Sequence, residues 1–235
     1  EPRPRFADAW ADFARGGQAG RLIAVVALGT LAFNMQDVLL EPYGGEILGL
    51  SVSSTTMLTF VWALGAIAGF ALSARWLANG LDPYRMAAIG LLIGVVAFTA
   101  VIFAAPLNSA PLFFAGAAGI GLGGGLFAVA TLTAAMTMPA GDLAGRGLAL
   151  GAWGAAQATA AGVAIFLGGT IRDLAEATGL TETLGAATGY SMVYHTEIAL
   201  LFVTLAVLGP LVKLGTLRNS AHRPTGKLGL ADLPT

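Results

Sequence analysis

Six apolar runs, each long enough to cross a bilayer as one helix, divide this 235-residue chain and constrain its fold more than any other feature. A hydrocarbon core about 30 Å thick takes about 20 residues of helix. The runs predict spans at 21–41, 51–77, 86–105, 111–138, 147–171 and 191–214. Breakers mark most junctions: Pro42-Tyr43-Gly44-Gly45, Asn79-Gly80-Leu81-Asp82-Pro83, Pro106 to Pro111, and Pro139-Ala140-Gly141-Asp142. Only 11% of residues are charged, against about 25% in a soluble domain. A large soluble core is therefore a poor explanation, and the fold class expected is an all-α membrane protein.

Charge tests the spans. If the first starts in the cytoplasm, Arg3, Arg5, Arg15, Arg21, Arg75, Arg85, Arg146, Lys213, Arg218, Arg223 and Lys227 all lie on that side, 11 of the 12 Lys and Arg. Only Arg172 falls outside. Basic residues concentrate in cytoplasmic loops, so an even number of spans with both termini inside is expected. Adding or losing one span scrambles this sorting. The pattern also flanks a membrane rather than forming a nucleic-acid surface.

Residues 1–20 read as a cytoplasmic linker in which Phe6, Trp10 and Phe13 form one side of a short interfacial helix. Residues 21–214 form the bundle, and 215–235 a polar cytoplasmic tail. The longest outer loop, about 172–190, carries Leu174, Leu180 and Leu184 at spacings that support a short surface helix. The chain opens at Glu1 without a signal peptide and reads as a piece of something longer. With no cysteines, disulfides and thiolate metal sites are excluded.

The first span is unusual. Thr30, Asn34, Asp37 and Glu41 fall at i, i+4, i+7 and i+11 and share one narrow helix face, with Gln36 roughly opposite. Ionisable groups at membrane depth face a protein interior or a water-filled cavity. The stripe is either a polar gate or ligand contact, or a set of caps bonded to neighbouring helices. The fourth span holds Gly116, Gly119, Gly121, Gly123, Gly124 and Gly125. The fifth holds Gly147, Gly151, Gly154, Ala155, Ala158 and Gly162. Such faces let helix backbones approach closely. One turn apart in the fifth span, Trp153 and Gln157 would touch a ring-shaped ligand or simply pack. His195 and Glu197 are placed near the outer surface. His195 has the chemistry to ligate the magnesium of a chlorin, or sits solvated at the interface. His222 is too distant to complete a metal site. No hydrolase, metalloprotease or phosphate-loop pattern occurs, so no enzyme is expected.

Six spans with inside termini resemble one half of a major facilitator superfamily transporter, in which each half is two inverted three-helix repeats. Gly69, Arg75, Asn79-Gly80, Asp82-Pro83 and Arg85 resemble a degenerate form of that superfamily's cytoplasmic loop motif. The acid expected near Asn79 is absent. Two segments, Asn34 to Gly45 and Gly151 to Ala158, resemble the PucC/LhaA family of phototrophic bacteria, with the chain as helices 7–12.

That resemblance implies a light-harvesting complex assembly factor of the bacterial inner, intracytoplasmic photosynthetic membrane. Such a factor binds or delivers bacteriochlorophyll, shepherds antenna polypeptides, or both. The partners implied are the N-terminal half of the same protein and antenna polypeptides or a photosynthetic core complex, within lipid. Asn34, Asp37, Glu41, Trp153 and Gln157 are the candidate pigment or gating residues. The alternative is a secondary transporter of a small solute, possibly proton-coupled. Spans two to five contain no acid, which favours the assembly factor.

Overall fold

The computed structural model describes residues 17–138 and 143–221, with side chains for all but 143–146 and 213–221. The expected linker helix around Trp10 and the tail with His222 lie outside them, as does the side chain of Arg146. The described residues form helices joined by short turns, and six of the helices are long and apolar enough to cross a membrane. Helix α1 is Gln18–Asn34, followed by a 3-10 turn at Met35–Val38 and helix α2 at Leu40–Glu46; together they make the first span. The second, third and fourth spans are α3 (Val52–Ala78), α4 (Pro83–Ala104) and α5 (Ala110–Met136). Helix α6 (Leu143–Ala177) carries the fifth span and runs past its expected end to take in Leu174, so only Leu180 and Leu184 of the expected surface helix form the short α7 (Leu180–Leu184), and α8 (Thr188–Ala221) carries the sixth.

Local chemistry sets the helix ends. The Asp82 carboxylate accepts from the Tyr84 and Arg85 amides at 2.9 and 3.1 Å, and Pro83 follows at the first helical position. Ser51 and Ser109 cap α3 and α5 in the same way. Helix α3 ends where Gly80 takes φ 80°, letting the Leu81 amide reach back to the Trp76 carbonyl at 3.0 Å.

The break in the first span has one cause in the sequence. Pro42 lacks the amide that would bond the Val38 carbonyl, and its ring crowds that carbonyl. A continuous helix through 34–42 is therefore disfavoured, and the chain tightens into the 3-10 turn before restarting at Leu40. Pro42 sits in the first turn of α2, so it opens the second half-helix instead of ending the first. The expected shared face of Asn34, Asp37 and Glu41 is interrupted for this reason.

Two sets of helices build the bundle. α5 packs against α3 and α4; α1 packs against α6 and α8; α4 meets α8 to join the sets. A chain of aromatic rings fills the interior around the break. Phe33 lies 5.9 Å from Phe127 and 6.3 Å from Phe98, Phe98 lies 6.3 Å from Tyr194, and Tyr194 lies 5.4 Å from Tyr43.

Glycine carries the closest approaches. A Cβ on Gly69 would stand 2.6 Å from the Leu122 carbonyl oxygen, and one on Gly90 2.7 Å from that of Gly123. Gly69 thus belongs to the α3–α5 contact. Of the other residues grouped with it in the loop motif, Asp82 is a helix cap, and Arg75 and Arg85 are exposed.

Candidate functional site

On the α1 side of the break, four helices leave a cavity of ≈ 170 Å³. Thr30, Phe33 and Asn34 line it from α1, Trp62, Ala66 and Phe70 from α3, Phe127 and glycines 121, 124 and 125 from α5, and Gln157 from α6. The glycines leave the walls recessed, and three phenylalanines and a tryptophan make them apolar. Two amides, Asn34 and Gln157, supply the polar groups together with Thr30. The Asn34 amide nitrogen donates to the Thr30 carbonyl at 2.6 Å, which holds that side chain against the end of α1. An apolar recess with a few polar groups is the usual form of a small-molecule site.

The structure thus brings Asn34 and Gln157 together and leaves the other candidates elsewhere. Trp153 is drawn against Leu22, Val26, Ala134 and Ala135, and its indole N–H donates to the Thr131 hydroxyl at 3.2 Å. Asp37 is exposed and accepts from the Gln36 side-chain amide at 2.7 Å. Glu41 is exposed and accepts from the Thr59 hydroxyl on α3.

Glu197 corrects the expectation most. Because α8 begins at Thr188, Glu197 lies nine residues in, roughly 14 Å along the helix. It is fully buried among the neighbouring helices, and its Oε1 accepts from the Gln36 backbone amide at 2.7 Å. That amide is freed by the break, so the last helix satisfies what the first cannot. Glu197 Oε2, Gln36 Oε1 and the Tyr194 hydroxyl are buried without a hydrogen-bond partner. An acid inside an otherwise apolar helix was the available sequence signal; its depth followed only from the true helix start.

At the end of the bundle assigned as outer by the basic-residue sorting, Arg172 finds its partners. Its guanidinium bonds Glu46 of α2 at 3.3 Å and lies 5.1 Å from the centre of the Tyr190 ring. The Tyr190 hydroxyl donates to the same carboxylate at 2.6 Å. This cluster ties the first, fifth and sixth spans together. His195 faces a groove of ≈ 520 Å³ with Leu184, Ala187, Met192 and Thr196. Its Nδ1 lies 2.7 Å from the Ser191 carbonyl oxygen, so that nitrogen carries the proton and Nε2 is left as the basic one. Among the described residues, no cluster of three or more His, Cys, Asp or Glu forms a metal site.

These features define a polytopic helical membrane protein with a small aromatic cavity at a broken first span. The chain belongs to the PucC family: the family described as PUCC protein matches residues 1–216. It is 54% identical, over its whole length and 50% of the relative, to an uncharacterized protein in the puhA-bchM intergenic region of Rhodobacter capsulatus. It is 50% identical to Protein PucC of Rhodovulum sulfidophilum over 74% of this chain and 38% of that one. A more distant relative, 31% identical over 90% of this chain and 48% of the other, is named Bacteriochlorophyll synthase 44.5 kDa chain of Rhodobacter capsulatus. The chain spans half or less of the length of these relatives. No solved structure matches it.

Proposed function

We propose that this chain is the C-terminal half, helices 7–12, of a light-harvesting complex assembly factor that binds or delivers bacteriochlorophyll, or shepherds antenna polypeptides, without catalysing a reaction. The observation that carries this reading is the aromatic cavity with its Asn34 and Gln157 amides, in a chain of the PucC family. At ≈ 170 Å³ it is smaller than the roughly 300–1,000 Å³ of ordinary ligand pockets. It suits the edge or tail of a large apolar pigment, with the remaining surface supplied by the rest of the protein. The unoccupied small-residue face of the fifth span is the surface proposed to meet that N-terminal half, in the manner of a facilitator fold.

The residues fit a chlorin at one further place. The free Nε2 of His195 is a competent ligand for a chlorin magnesium, and the adjoining groove of ≈ 520 Å³ is within the range of ligand pockets. A bound chlorin would supply light absorption there; the protein's share is to orient it through Nε2 and to shield it with Leu184 and Met192. The location proposed is the photosynthetic inner membrane, with both termini in the cytoplasm.

Purification of the full-length protein and its absorption spectrum provide the test. Co-purifying bacteriochlorophyll, lost on Gln157→Leu or His195→Ala, is the expected result. Absence of pigment together with normal antenna levels in a deletion strain would sink the proposal. The second reading, a proton-coupled carrier of a small solute, draws on the buried Glu197. It predicts solute uptake by proteoliposomes that Glu197→Gln abolishes.

A further inference from the structure

Glu197 lies apart from both the cavity and the His195 groove, yet it is the most deeply buried acid among the described residues. It is fully enclosed within a membrane-spanning helix and receives one backbone N–H. A carboxylate so placed, with no cation beside it, is costly by several kcal/mol. Several titratable groups surround it. From the first span, Asp37 stands next to Gln36, whose amide Glu197 receives and whose side chain donates to Asp37. From its own helix, Tyr194 stands one turn away, with Tyr43 of α2 against its ring. From α4, Phe98 packs on Tyr194. From α6, the backbone at Gly168 meets Met35 of the turn and brings no titratable group. Arg172, the nearest cation along α6, is engaged by Glu46 and Tyr190 at the outer end.

We propose that Glu197 is a proton-binding site that latches the outer half of the first span, holding its proton while the break is docked and releasing it when α2 swings away. In the latched state Oε1 accepts from the Gln36 amide while Oε2–H becomes a donor. The Gln36 side chain holds a buried acceptor, Oε1, that lacks one. That amide's orientation is set by its nitrogen donating to Asp37. Opening separates Gln36 from Glu197 and admits water; the O–H bond breaks, its electron pair stays on the carboxylate, and the proton leaves to solvent. A proton needs no cavity of its own, which distinguishes this site from one for a metal cation. The inference stands whether or not the cavity takes a pigment.

The sign follows directly. The latched state binds one more proton than the open state, so raising the pH favours opening. The test uses the full-length protein in lipid nanodiscs, with spin labels at Gly45→Cys on α2 and Gly169→Cys on α6. A Cβ at either position meets nothing within 4 Å, and this chain has no cysteine of its own. A short distance at low pH should give way to a longer one, the ratio changing about tenfold per pH unit around the midpoint. Glu197→Gln, which keeps a neutral donor and acceptor, should hold the short distance at every pH. In parallel, infrared spectra of carbon-13-glutamate protein should show a protonated-carboxyl band that Glu197→Gln removes. A distance distribution that ignores pH overturns the latch. Absence of that band, or a ratio that follows sodium at fixed pH, overturns the proton.

Discussion

The fourth and fifth spans are both rich in glycine and use it in opposite ways. In α5 the glycines other than Gly124 are consumed by packing. A Cβ on Gly116 would meet the Ala97 carbonyl oxygen at 3.0 Å, and one on Gly125 that of Ala66 at 2.8 Å. In α6, a Cβ on Gly147, Gly151, Gly154 or Gly162 would meet nothing within 4 Å. Half of the fourth span is buried in the bundle against 17% of the fifth. Lipid alone gives no reason to keep a helix face small, since its chains conform to Leu as readily as to Gly. Small residues are selected where another backbone must come close. The same composition thus marks a finished interface in one helix and, on the reading proposed above, an unfinished one in the other.

Substitution should separate the two helices. The largest effect is expected for Gly123→Val in α5. Its Cβ would press on the Gly90 carbonyl at 2.7 Å and the Gly94 amide at 3.1 Å, so the α4–α5 pair must separate. A loss of about 3 kcal/mol is expected, read as a lower thermal midpoint in detergent. Next is the place where the two spans touch. Trp153→Phe removes the indole bond to Thr131 and should cost about 1 kcal/mol by the same measurement. Arg172→Ala, at the outer end of α6, removes a partly exposed ion pair and a ring contact and should cost roughly 0.5–1 kcal/mol. The smallest change in stability is expected for Gly151→Leu when the six-span bundle is measured by itself, within about 0.5 kcal/mol. That variant should nonetheless lower antenna yield in cells, because the added side chain occupies the open face. A Gly151→Leu protein with full antenna assembly would remove the docking role from that face.

The spans were legible because burial in lipid demands long apolar helices and because basic residues sort across them. The break between Asn79 and Pro83 and a short helix at Leu180 and Leu184 followed from local rules that tertiary contacts do not override. Asn34 and Gln157, chosen from the sequence, do meet at one cavity. Asp37 and Glu41 do not join them, since counting 100° per residue assumes a helix that Pro42 interrupts. Trp153 lies one turn from Gln157 yet is claimed by Thr131, a partner set by the α5–α6 crossing and invisible in sequence spacing. Glu197 escaped notice as an interfacial residue because its role depends on a contact with Gln36, 161 residues away.

That separation has a consequence for how the protein is made. The Gln36 amide enters the membrane with the first of these six spans, but the carboxyl that receives it belongs to the sixth, which emerges later. At about 5–20 residues per second, synthesis leaves the amide without its acceptor for roughly 10–30 s. An unpaired backbone group in hydrocarbon costs several kcal/mol. The outer half of the first span therefore has reason to wait near the headgroups, or in the insertion machinery, until the sixth span arrives to seat it.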